Sequence, residues 1–139
     1  MGMFNPGLWQ VDSATGKVTT LIKGDPGDGT FNSADEPFLA PDGQLYYFFS
    51  NQPISDESRI NLQLVRSAPD GVTGRTVIRP EIFNTMNEAL WAPDGSFVIT
   101  ASGPIQDVYF GGIAELYYTD GQKAKVPLVD YALNMKWGP

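Results

Sequence analysis

Apolar residues fall along this chain in short runs, and Gly, Pro, Asp and Ser collect between them. That distribution predicts short strands joined by frequent turns. Strands are expected over Gly7–Asp12, Lys17–Ile22, Glu36–Ala40, Gln44–Ser50, Ile60–Arg66, Gly74–Arg79, Ala89–Ala92, Ser96–Ala101, Ile113–Thr119, Lys123–Val129 and Tyr131–Trp137. Among them Leu45-Tyr-Tyr-Phe-Phe49 is apolar on both faces. Such a strand requires cover on both sides, which a sheet with one wet face does not supply.

The runs repeat. Phe38–Ser50 and Leu90–Ser102 share one frame, in which Ala-Pro-Asp-Gly separates two apolar segments, and Lys136-Trp137-Gly138-Pro139 opens it again. A third Pro-Asp-Gly lies at Pro69–Gly71. In Pro41-Asp42-Gly43 and Pro93-Asp94-Gly95, proline presets the first turn position, Asp bonds nearby backbone, and Gly accepts the positive φ that follows. Trp91 and Trp137, with Leu39 at the equivalent place, read as wedges packed between repeats. A strand–turn–strand repeat of roughly fifty residues is the mark of a propeller blade. The expected fold is all-β: a partial β-propeller of four-stranded antiparallel blades, completed by self-association. Its parts are a partial blade over 1–23, blades over 35–80 and 88–129, and an inner strand over 131–139.

Composition narrows the chemistry. With 42% hydrophobic and 18% charged residues the chain is globular. Its net charge of −7 argues against nucleic acid or an anionic membrane as partner. No run is long enough to span a bilayer or serve as a signal peptide, so compartment is unassigned. Cys and His are both absent. Disulfides are therefore excluded, as are Ser-His-Asp and Cys-His catalysis within the chain, and an ordinary zinc site loses its ligands.

Loops carry what candidate chemistry remains. In an up-and-down meander the short turns gather at one face, and the expected longer connections 23–35, 51–59, 80–88 and 102–112 gather at the other. Elaborated loops on a rigid scaffold are where binding concentrates. Asp25, Asp28, Asn32 and Asp35 offer oxygen ligands for calcium in a Gly-rich stretch, although their spacing is not that of an EF-hand. Asp35/Glu36 and Asp56/Glu57 are adjacent carboxylate pairs, the minimum equipment of a glycosidase and equally the ordinary dress of a solvated surface. Tyr109 and Phe110, before Gly111-Gly112, read either as an exposed contact for peptide or sugar or as a blade cap.

The repeated Leu/Trp-Ala-Pro-Asp-Gly, followed by an apolar strand and Ser, resembles the TolB-like, WD-repeat-related propeller family. The resemblance covers nearly the whole chain through two full repeats and partial ones at both ends. It implies the fold and is almost silent on function. Family members include protein-binding scaffolds, often extracytoplasmic, and the gating propellers of oligopeptidases. The chain supplies about two and three-quarter blades, so a homodimer closing a ring of about six is expected, with a segment of a longer protein as the alternative. The functional expectation is a non-enzymatic module without an obligatory cofactor, binding protein, peptide or ligand through its long-loop face. The rivals are a gating propeller beside a hydrolase domain and a carboxylate-based glycoside hydrolase.

Overall fold

The computed structural model describes residues 7–56, 60–103 and 110–139. Its fold is all-β. Strands β1 (Leu8–Val11) and β2 (Val18–Ile22) form a hairpin. Strands β3 (Thr30–Leu39), β4 (Leu45–Pro53), β5 (Gln63–Ser67) and β6 (Thr76–Val77) form a four-stranded antiparallel sheet in sequence order. Strands β7 (Met86–Trp91), β8 (Phe97–Ser102), β9 (Gly112–Tyr118) and β10 (Val126–Ala132) form a second sheet of the same kind. A 3-10 turn, Ile54–Asp56, follows β4. Among the described residues no helix is long and apolar enough to cross a membrane.

The three sheets stack on one another in sequence order. Leu8 and Ile22 of the hairpin pack against Leu45, Tyr47 and Val65 on one face of the first sheet. On its other face Phe48 and Leu64 join Leu62 and Phe83 against Val98 and Tyr117 of the second. β4 is thus the central plank, with Tyr47 and Phe48 both 0% exposed although they point to opposite sides. Burying each such side chain contributes about 2 kcal/mol, so this strand anchors the stack far more than any turn does. The Tyr47 hydroxyl finds its acceptor at the Gly71 carbonyl, 2.6 Å away.

The Pro-Asp-Gly turns have the expected chemistry. In each, the glycine N–H donates to the alanine carbonyl before the proline, Gly43 to Ala40, Gly71 to Ala68 and Gly95 to Ala92. The aspartate accepts a backbone N–H two residues on: Asp42 from Gln44, Asp70 from Val72 and Asp94 from Ser96. Gly95 is required twice over. Its φ is +75°, and a Cβ there would sit 3.0 Å from the Ala40 Cβ, because this turn nests on the first sheet.

Beyond small shifts at the ends of β5, β7 and β10, four features differ from the pattern. β3 begins at Thr30 instead of Glu36 and β4 runs to Pro53, pairing Thr30↔Pro53, Asn32↔Asn51 and Ser33↔Ser50. The expected loop 23–35 is therefore half strand. Most residues at that end are polar, and backbone pairing with an Asn32–Asn51 amide bridge holds them, with Ser33, Ser50 and Gln52 buried. Second, the two aligned frames slip by one residue. Ala40 N bonds Gln44 O, whereas Ala92 N bonds Phe97 O, so Ser96 is an extra turn residue. Leu39 consequently pairs with Leu45 but Trp91 with Val98, and Val98 takes the inward place that sequence alignment gives to Phe97. Third, β6 spans two residues, and Arg79 leaves the sheet to become buried. Fourth, Tyr131–Trp137 is not a separate strand: Tyr131 and Ala132 are the last residues of β10, and Leu133–Pro139 runs free of the ladder.

Both tryptophans of the repeated frame make ring contacts, while Leu39 at the equivalent place is exposed. Trp91 stacks on Phe38 at 5.5 Å and touches Tyr46 and Phe48. Trp137 meets Phe97 edge-on at 6.0 Å and donates its indole N–H to the Trp91 carbonyl at 2.8 Å.

Candidate functional site

The connections β2–β3, β4–β5, β6–β7 and β8–β9 emerge at one end of the stacked sheets. Backbone bonds tie them in pairs: Ile54 N donates to Gly29 O at 3.0 Å, and Gly103 N to Thr85 O at 2.9 Å. The contrast with the opposite end is smaller than the pattern suggested, because β3 and β4 take up part of two of these connections and β5–β6 has a sizeable turn over 68–75.

The acidic stretch at the start of the rim is organised by its own turns. Asp25 accepts the Gly27 N–H at 2.8 Å, and Asp28 accepts both the N–H and the hydroxyl of Thr30. The Thr30 hydroxyl bond, then the backbone bond, hold the Asp28 carboxyl below its usual value. Asn32 donates through its amide to Lys23 O and receives the Asn51 amide at 2.8 Å; Asn51 also reaches Thr30 Oγ1 at 3.0 Å. Asn32 and Asp35 stand three residues apart on one strand, so they project from opposite faces and do not converge. Asp35 spends Oδ1 on the Glu36 N–H at 2.9 Å. Among the described residues no three acidic side chains gather in a metal-binding group.

Glu36 differs from the other carboxylates. It sits in a bulge between Asp35 and Phe38 with φ of +49°, and its carbonyl accepts the Trp91 indole N–H at 2.9 Å. Burial pushes its carboxyl above the usual value, and the charges of Asp35 and Glu88 push the same way. Glu88 occupies the matching frame position on β7, and its Oε1 is buried with no hydrogen-bond partner among the described residues. Asp35, Glu36 and Glu88 are thus neighbours on the two first strands of adjacent sheets.

At the far end of the rim, Phe110 is 74% exposed. The next two residues must be glycine. Gly111 and Gly112 have φ of +58° and +142°, and a Cβ on Gly112 would strike the Ser102 carbonyl. The Asn87 amide donates to Gly111 O at 2.7 Å and fixes this corner to β7. Glu57 and Tyr109 lie outside the described residues, as does the Asp56 side chain.

One residue escaped the sequence pattern. Arg79 is 3% exposed and donates to Tyr118 O at 3.0 Å and Lys123 O at 2.8 Å, while its fork grips Glu81 at 2.7 and 3.1 Å. It joins the end of the first sheet to the β9–β10 turn. Burial alone would raise the Glu81 carboxyl, but the Arg79 hydrogen bonds and charge bring it below its usual value. The only cue is an Arg-Pro-Glu triplet at the end of an apolar run, which is too common a string to mark a buried ion pair.

No family model, no curated protein and no solved structure matches the chain.

Proposed function

We propose that the chain is a β-propeller-type blade module acting as a non-enzymatic scaffold that binds a protein or peptide partner at the rim carrying Asp25, Asp28 and Phe110. The observation that carries this reading is the sequential stacking of antiparallel meanders. Every sheet presents its connections in the same direction, so several loops converge on one rim. The exposed Phe110 ring, set on a stiff Gly111-Gly112 corner, is the best anchor there, since aromatic side chains carry much of the energy of protein contacts.

Panning a phage-displayed peptide library on the whole chain tests it. Selected peptides should bind wild type and lose affinity for Phe110→Ala and Asp25→Ala, but keep it for Asp42→Ala and Asp94→Ala at the opposite end. Peptides that respond to the turn variants instead would sink the assignment of the rim.

A second reading has one observation in its favour. The raised Glu36 carboxyl beside Asp35 and Glu88 is the type of group that donates a proton in glycoside hydrolysis. Hydrolysis of aryl glycosides that disappears in Glu36→Gln would replace the scaffold reading with this one.

A further inference from the structure

We propose that two copies of the chain associate head to tail, with Leu39 of one copy packed on the Leu133–Trp137 segment of the other. The inference rests on the blade reading but not on any ligand at the rim.

The layers of the stack are unequal. The second sheet meets the first along its full width, and its first strand places Trp91 on Phe38, Tyr46 and Phe48. The hairpin on the opposite face packs Leu8 and Ile22 on Leu45, Tyr47 and Val65, with Ala34 and Phe49 at the edge of that cluster. Leu39, which holds on β3 the place that Trp91 holds on β7, is left 59% exposed. Among the described residues no first strand lies beside the hairpin to cover Leu39.

The same molecule carries such a segment without its sheet. Leu133–Trp137 lies against the second sheet, with Trp137 bonded to the Trp91 carbonyl, yet Leu133 is 47% and Trp137 45% exposed, with no strand among the described residues backing them. In the shared frame Lys136 takes the position of Phe38, the residue on which Trp91 stacks. A second copy that presented Leu39 to this segment would extend the existing stack by one more interface of the kind already formed twice. It would also cover the outward-facing apolar residues Trp9, Val11 and Val18 on the hairpin, which are 44, 61 and 61% exposed.

The absence of cysteine makes a direct test available. Leu39→Cys and Lys136→Cys chains are mixed and oxidised, and the products compared with each variant alone. A disulfide needs Cα atoms within about 7 Å, so it reports this contact and not general stickiness. The expected result is a linked pair containing one chain of each kind, with little linkage in either variant alone. Light scattering on wild type should show multiples of the 15.2 kDa chain, and Leu39→Asp should reduce them while leaving the far-ultraviolet spectrum unchanged. A 15.2 kDa mass up to millimolar concentration, or a mixture that links no more than its components, overturns the proposal. Rim peptides that still bind in that case would leave the scaffold reading standing.

Discussion

The indole N–H of Trp91 donates to the carbonyl oxygen of Glu36 at 2.9 Å, so the first strands of two successive sheets are joined by a side chain and not by the ladder. The carbonyl is available because Glu36 is bulged out of pairing at a positive φ. One wedge residue thus supplies both the packing surface and the polar closure of a strained position.

Replacing Trp91 with Phe separates those two contributions. The ring still stacks on Phe38, but the Glu36 carbonyl loses its donor. Stability should fall by about 1 kcal/mol, read as a lower urea midpoint at unchanged slope. A change in slope would mean instead that the sheets had come apart.

Removing Arg79 should be more severe. Arg79→Ala strands Glu81 and two backbone carbonyls at a buried site, at a cost on the order of 3 kcal/mol by chemical denaturation. Arg79→Lys should recover only part of this, because an ammonium cannot present the fork that grips both Glu81 oxygens. Full recovery by Lys would show that charge alone matters there.

The pH dependence should carry two opposite signs. The raised Glu36 carboxyl contributes no penalty while it is protonated in both folded and unfolded chains. As pH rises past the ordinary Glu value the unfolded chain ionises first, and stability is lost until the folded group ionises too. Glu36→Gln should therefore raise the melting temperature at pH 7 and leave it unchanged at pH 3. Asp28, Asp70 and Asp94 are held low chiefly by hydrogen bonds from Thr30, Thr73 and Ser96. Their contribution is present above the ordinary Asp value and lost as pH falls through the folded one, so alanine at these positions should flatten the acid limb. Melting curves between pH 3 and 8 distinguish the two effects.

Deleting single residues around the β7–β8 turn tests the slipped frame. Without Ser96 the turn shortens to the form already present at Gly43-Gln44, and β8 keeps its faces. That variant should fold with a reduced melting temperature, since Ser96 O also accepts the Thr119 N–H. Deleting Val98 from the strand moves one end of β8 onto the wrong face and should abolish cooperative melting. Equal behaviour of the two would contradict the assigned register.

Much of this arrangement is legible in the chain. Pro-Asp-Gly marks the turns, short apolar runs mark the strands, and the two-faced apolar run at Leu45–Phe49 requires cover on both sides. What the pattern hides is structure made with few apolar residues. The Thr30–Ser33 end of β3 has one apolar residue, Phe31, beside polar ones bridged by the Asn51 amide, and it therefore resembles a loop. Ser96 hides for a different reason: a turn insertion changes no composition, only which neighbour faces inward. Arg79 is invisible because its partners are mostly carbonyls distant in sequence. At the rim, the glycines beside Phe110 leave its ring open to either a contact or a capping place, and the closeness of Glu36 and Glu88 depends on how two sheets stack.

Because each sheet leans only on the sheet before and after it, cooperativity in this molecule is a nearest-neighbour property. The amide hydrogens of β4, enclosed from both directions, should be the last to exchange with solvent. Those of the β1–β2 hairpin, held on one side alone, should exchange through local opening well before the whole chain unfolds. The stack then behaves as a row of coupled units whose stability is graded along the sequence, and anything bound across several connections would draw the row into a single melting step.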